Sequence, residues 1–394
     1  MKKEFLDLKW FNQFSEIGLF SIVDFLVGDP GERKQQKQKF LANEIRNPKL
    51  DYTKITTTFL NTTKVQLVKL LKNIEDEELS KVVKQSYAKL IQEKLVHLEI
   101  LEAVNVADDL KFNDLTINEF GKPSPDILSR LIPSVFDMLS QASTSKNKSV
   151  QQACDQLRQV ISNIPQHSDP ILKSFVPQEE PTVESKQIKV RFEEAFSEYG
   201  IENWNIVIDF DNLNSFINIS QKEQTVFIPS SRKISPLHLE ALVKHEIGVH
   251  VRRRINAEKQ AFKLLAIGLD HYLKGDEGLS KYEEIKIFPS SFNSTVEIYL
   301  GISLIHGLGG AKMDFRDIYE FFYNYYLVSR HGESNLTTDD AENYGWVRAE
   351  KFFRGTTGQS KGICFTKDLI YLDGYLDILE VLKKHPEEEK RFLV

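Results

Sequence analysis

His245-Glu246-x-x-x-His250 holds the residues of this 394-residue chain best suited to chemistry. Two imidazoles can each give a lone pair to a divalent metal, and a carboxylate beside the first could take a proton from a metal-bound water. The familiar metallopeptidase signature spaces its histidines by four, so that both rings meet one ion on one helical face. Here His250 follows His245 by five positions. On a regular α-helix the second ring would be rotated by roughly 140°. A π-bulge absorbs one extra residue, and Gly248 in the spacer makes that distortion sterically easier. A metal site here therefore requires a deformed helix. Without the deformation the two histidines are packed, hydrogen-bonded residues of an ordinary helix.

The surrounding chain must position these groups. Ser235 as N-cap, Pro236 at the first helical position and the apolar stripe Leu239, Leu242, Val243, Ile247 predict a helix over 235–256. Just before it, 205–210, 216–219 and 225–228 are short, β-branched and aromatic runs that predict a small antiparallel sheet. Such a sheet edge either accepts an extended peptide as one more strand or merely covers the helix. After it, a helix is expected over 258–273, and then a turn at Gly275 enters another helix. Glu277 could bring a third ligand from that helix, as in sites of two histidines and one glutamate, or be an ordinary acid in a first helical turn. The first half predicts helices at 32–46, 62–73, 76–104, 124–143 and 149–163, with no chemistry of its own. Pro165, Pro170, Pro177 and Pro181 make 165–182 the expected linker between a helical region, 1–165, and a catalytic domain, 183–394. The fold class is α+β, mainly α-helical.

With 41% hydrophobic and 27% charged residues the chain reads as soluble and globular. Its net charge of −6 gives no reason to expect nucleic acid or an anionic membrane as partner. Cys154 and Cys364 are too few for a disulfide framework and suit a reducing compartment. Charges follow Met-Lys-Lys at once, which breaks any signal sequence, and no apolar run is long enough to span a membrane. The expected location is the cytoplasm. Oligomeric state is left open.

The central motif is followed by Arg253, Asn256, Gly268-Leu269, Tyr272 and Asp276-Glu277-Gly278-Leu279-Ser280. A C-terminal block then carries Trp346, Arg348, Arg354-Gly355-Thr356, Phe365-Thr366-Lys367-Asp368 and Tyr371-Leu372-x-Gly374, and Asn47-Pro48 with Tyr52 is a fainter match. In this order the residues resemble the microtubule-associated tyrosine carboxypeptidase family, whose bacterial members carry Gln-Glu-Gly-Leu-Ala where this chain has 276–280. The resemblance implies a gluzincin-like zinc metallopeptidase: Zn2+ on His245, His250 and Glu277, and zinc-bound water attacking a peptide carbonyl with Glu246 as general base. Val249, Asp276 and Ser280 depart from the family's threonine, glutamine and alanine. No ligand or base is lost, but the tubulin tail cut by eukaryotic members is not carried over.

The expected function is a carboxypeptidase releasing a C-terminal residue, aromatic ones among the candidates, from a peptide or protein. Recognition of a terminal carboxylate needs a fixed cation, and a guanidinium fork matches both oxygens. Arg348, Arg354 and Lys367 are the candidates, and Tyr371 or Arg348 is the candidate holder of an oxyanion. Each cation also suits a structural ion pair. The alternative function is a non-catalytic metal-binding or regulatory protein that keeps the fold. The intact Glu246 favours the enzyme, because a structural zinc site needs no base.

Overall fold

Local sequence decides where the helices of the first half begin. Thr56 accepts the Phe59 N–H at 3.2 Å and opens the helix Thr57–Glu77, while Ser80 accepts the Val83 N–H at 3.4 Å and opens Lys81–Asn105. These caps stretch the first helix and start the second later than periodicity alone suggests. Further helices run Leu8–Ile17, Pro30–Leu41, Asp109–Phe120, Pro125–Ala142 and Lys148–Ile161. The computed structural model describes residues 6–172, 174–175, 181–209, 217–220, 223–333 and 336–392.

These helices share their cores with residues far along the chain. Leu67, Tyr87, Leu98 and Phe112 pack in one apolar cluster with Leu264, Ile267 and Phe365. A larger cluster joins Phe40, Ile132 and Leu157 to Phe292, Tyr325 and Phe352. The aromatic run 319–326 lies in the helix Phe315–Ser329, and its Phe322 and Tyr325 are fully buried in that core. Part of the proline-rich 165–182 lies against the helix Pro125–Ala142, where the N–H groups of His167 and Ile171 donate to Ser129 O and Arg130 O. Positions 173 and 176–180 of that stretch, with Pro177, lie outside the described residues.

The strands are β1 (Val183–Glu184), β2 (Asn205–Asp209), β3 (Asn218–Ser220), β4 (Thr225–Pro229) and β5 (Lys233–Ile234). β1 and β5 form an antiparallel pair. The larger sheet has the order β2-β4-β3 and is mixed, which corrects the antiparallel expectation: β3 is antiparallel to β4, but β2 is parallel to it. Burial sets the order of the strands. β4 buries Thr225, Val226, Ile228 and Pro229, so it takes the centre, and β2 pairs with its second edge. Phe216, expected in the middle strand, lies outside the described residues.

After β5 comes a helix in three parts: α-helical Pro236–Leu242, π-helical Val243–Val251 and α-helical Arg252–Glu258. Its Ile247 and Val251 pack with Ile206, Val226 and Ile228 of the sheet. The expected helix over 258–273 does not form. The chain turns instead through a short 3-10 segment, Lys263–Ala266, where the Arg254 guanidinium takes the Ala266 carbonyl at 2.8 Å and Gly268 adopts φ +118°. The helix Tyr272–Ile287 follows, and the helix Ile370–Lys384 packs along it. Glycine permits that contact: a Cβ on Gly278 would lie 2.2 Å from the Gly374 carbonyl carbon. Among the described residues no helix is long and apolar enough to cross a membrane.

Candidate metal centre

The five-residue spacing meets a π-helical segment. There the backbone N–H of residue i reaches the carbonyl of i−5, as Arg252 N–H does to Ile247 O, and residues five apart come to share a face. The His245 and His250 rings accordingly sit 5.1 Å apart, centroid to centroid. Both side chains are nearly buried, at 10% and 12% exposure.

The helix Tyr272–Ile287 lies across this segment and answers both rings. Glu284 Oε2 is 2.7 Å from His245 Nδ1, and Asp276 Oδ2 is 2.8 Å from His250 Nδ1. With Nδ1–H donated to a carboxylate, each ring keeps its Nε2 lone pair free, the tautomer that metal-ligating histidines use. Both Nε2 atoms face Glu277 Oε2, at 3.9 and 3.7 Å. These separations are too long for hydrogen bonds and a few tenths of an ångström wider than the roughly 3.3 Å between ligands of a tetrahedral zinc with bonds near 2.0–2.1 Å. Donor atoms of His245, Glu246 and His250 also lie within 4.8 Å of one another. His250 has one weaker neighbour, the Ser280 hydroxyl 3.3 Å from Nε2.

Electrostatics agree with the donor geometry. Burial alone would lower the His250 imidazole, but Asp276, Glu277 and Glu246 outweigh it and push the pKa up to about 10, so the carboxylates hold a proton on the ring that a metal would displace from Nε2. Glu246 is raised, by burial first and by Glu277 and Glu284, against the two histidines. Four carboxylates around two imidazoles make a potential that favours a cation. The residues present fit a divalent metal of zinc type: imidazole and carboxylate donors at tetrahedral reach, each ring fixed by a second partner.

Sequence reasoning did not identify Asp276 and Glu284 as the partners of the two rings. Their signal was their place eight residues apart on the helix that carries Glu277, which puts them on one face at two-turn reach. Arg253 pairs with Asp276 at 3.0 Å and lies over the Tyr272 ring at 4.8 Å, so it braces the partner of His250. Lys281 Nζ supports Glu284 in the same way at 2.8 Å.

The C-terminal block divides. Tyr371 reaches the centre: its hydroxyl is held well above the usual value, first by Glu277, then by burial, Asp368 and Glu246, so it stays a proton donor. Arg354 acts on the same hydroxyl in the opposite sense, favouring its ionised form. Lys367 sits beside Asp368 on the 3-10 turn Thr366–Leu369. Arg348 is engaged elsewhere. Its Nη2 donates to Glu297 at 2.5 Å and to Tyr344 at 3.1 Å, inside a buried triad.

A family model described as microtubule-associated tyrosine carboxypeptidase matches residues 38–393. Microtubule-associated tyrosine carboxypeptidase 1 of Mus musculus is 29% identical over 147 residues, 36% of this chain and 27% of that protein. The Homo sapiens protein of the same name aligns to the same extent, also at 29% identity. The aligned stretch thus spans about a quarter of each relative's length.

Proposed function

The chain belongs to the microtubule-associated tyrosine carboxypeptidase family, and from that premise we propose that it is a gluzincin-like, zinc-dependent carboxypeptidase built on an HExxxH helix. The observation that carries the reading is the convergence of His245 Nε2, His250 Nε2 and Glu277 Oε2, with both Nδ1 atoms already committed to carboxylates. His245, His250 and Glu277 would hold the zinc. When bound, zinc would polarise the scissile carbonyl and make water a nucleophile near neutral pH.

The chain's own residues do the remaining work. Glu246 takes the proton of the attacking water as the new C–O bond forms, then delivers it to the amine nitrogen as the C–N bond breaks. Its raised pKa suits both halves of that transfer. Tyr371, protonated beside Glu277, donates a hydrogen bond to the oxygen on which negative charge develops. The products are a shortened chain and one free C-terminal amino acid. The relatives' name makes a C-terminal aromatic residue the first substrate to try, and the cytoplasm remains the proposed location.

The test is a peptide library with free C-termini, read by mass spectrometry, with wild type and Glu246→Gln in parallel. The variant should keep its zinc and lose about 10²–10⁴ in kcat. Equal cleavage by both proteins would remove Glu246 from the base role.

A further inference from the structure

We propose that Arg354 reads the substrate's terminal carboxylate. The proposal rests on the carboxypeptidase reading above and names its specificity-determining residue. Of the cations in the C-terminal block, Arg348 is spent on buried Glu297, and Lys351 is paired with Asp368 at 3.0 Å. Arg354 differs from both. Its Nε is buried and has no hydrogen-bond partner, and among the described residues no hydrogen bond or ion pair is formed by its guanidinium. Its Cζ lies 5.6 Å from the centre of the Phe365 ring. A buried donor left unpaired is costly, so its persistence points to a ligand that completes it.

The position also fits. Arg354 ends the helix Thr338–Phe353, where ψ turns to 130° and Gly355 follows at φ +89°. The chain therefore leaves the helix axis at this residue. The end of its helix is tied to the turn before Tyr371, by Phe365 N–H to Phe352 O at 2.9 Å and Lys351 to Asp368 at 3.0 Å, and the helix that this turn opens packs on the one carrying Glu277. A C-terminal residue needs a cation close to the metal, since its scissile carbonyl lies at the metal and its carboxylate about one residue, roughly 3.5 Å of chain, beyond. The surroundings carry spare positive charge, since Lys351, Lys367 and Arg354 all act on the single acid Asp368 and, against its burial, hold it at about 2. A planar carboxylate presented to a guanidinium forms two parallel charged hydrogen bonds, which an amide cannot replace.

The experiment compares one peptide with a free and an amidated C-terminus, measuring kcat/KM for wild type, Arg354→Gln, Arg354→Lys and Arg348→Gln. Wild type should prefer the free form by about 10–100-fold or more. Arg354→Gln should lose that preference, Arg354→Lys should keep part of it, and Arg348→Gln should keep it whole. Binding of both peptides to Glu246→Gln and to Glu246→Gln/Arg354→Gln is measured alongside, so the answer does not depend on turnover. If wild type cuts no peptide, the carboxypeptidase reading fails, and the binding pair still decides Arg354. A preference unchanged in folded Arg354→Gln, or abolished instead by Arg348→Gln, overturns the proposal.

Discussion

Two clusters of histidine and glutamate are buried in this molecule, and they are built differently. At His245 and His250 each Nδ1 is bonded to a carboxylate, at 2.7 and 2.8 Å, and each Nε2 points into shared space. At Glu93, His97 and Glu119 the donor atoms also lie within 4.8 Å of one another. There His97 Nε2 is itself bonded to Glu119 at 3.1 Å, and its Nδ1 has no hydrogen-bond partner. Composition and crowding are alike in the two clusters. The difference is where the remaining carboxylate lies: Glu277 faces the Nε2 atoms, opposite the bonded Nδ1 atoms of His245 and His250, whereas Glu93 and Glu119 both gather at His97 Nε2, the nitrogen already bonded. The second cluster reads as a clamp, since Glu93 also accepts the His271 N–H at 2.6 Å, where the chain enters the helix that carries Glu277.

The largest effect expected from this comparison is on metal content. His250→Ala should leave the protein with little zinc and background activity, whereas His97→Ala should keep the full zinc stoichiometry by elemental analysis. Zinc lost equally from both would dissolve the distinction. Next in size, Asp276→Asn and Glu284→Gln should weaken zinc about 10–100-fold in competition with a chromophoric chelator, since they remove only the orientation of a ring. An unchanged affinity would mean that the π-helical backbone alone fixes the rings. A smaller effect belongs to the clamp: His97→Ala strands Glu119 without its donor and should cost about 1–3 kcal/mol in unfolding free energy, read by denaturant titration at pH 7.5.

The finest test is pH. Burial lowers the His97 pKa, against the opposing pull of Glu119, so the folded protein resists protonation there while the unfolded chain accepts a proton near 6.5. The contribution of His97 is therefore present above that value and is lost as pH falls through it toward the depressed folded pKa, by at most roughly 1.4 kcal/mol per pH unit. His306, lowered to about 4 by burial and then by Lys312, adds the same sign of dependence. His97→Gln should thus be closer to wild type in melting temperature at pH 5.5 than at 7.5. A gap that widens on acidification would show that His97 is charged in the fold.

How much of this was legible in the chain follows from the range over which each feature is decided. Helix starts at Ser235 and Pro236, the stripe Leu239, Leu242, Val243, Ile247 and the candidates His245, Glu246 and His250 are set by residues within a turn or two, and the sequence displays them directly, whereas Glu277 lies on a later helix and its assignment as a ligand came through the resemblance. The five-residue spacing even stated its own condition, a deformed helix. The pairing of β2 was not legible, because which strand takes the centre depends on burial in the folded core rather than on any strand's own residues. The end of the helix at Glu258 was hidden likewise, in long side-chain contacts such as Arg254 to Ala266 O. Nor could the sequence say which carboxylate meets which nitrogen. His245 to Glu284, His250 to Asp276 and Arg348 to Glu297 are 39, 26 and 51 residues apart. Such partners meet only when helices cross, and the crossing is fixed by packing. Residue types and local spacing determined what chemistry was available; tertiary packing decided which lone pairs and which guanidinium were left free for it.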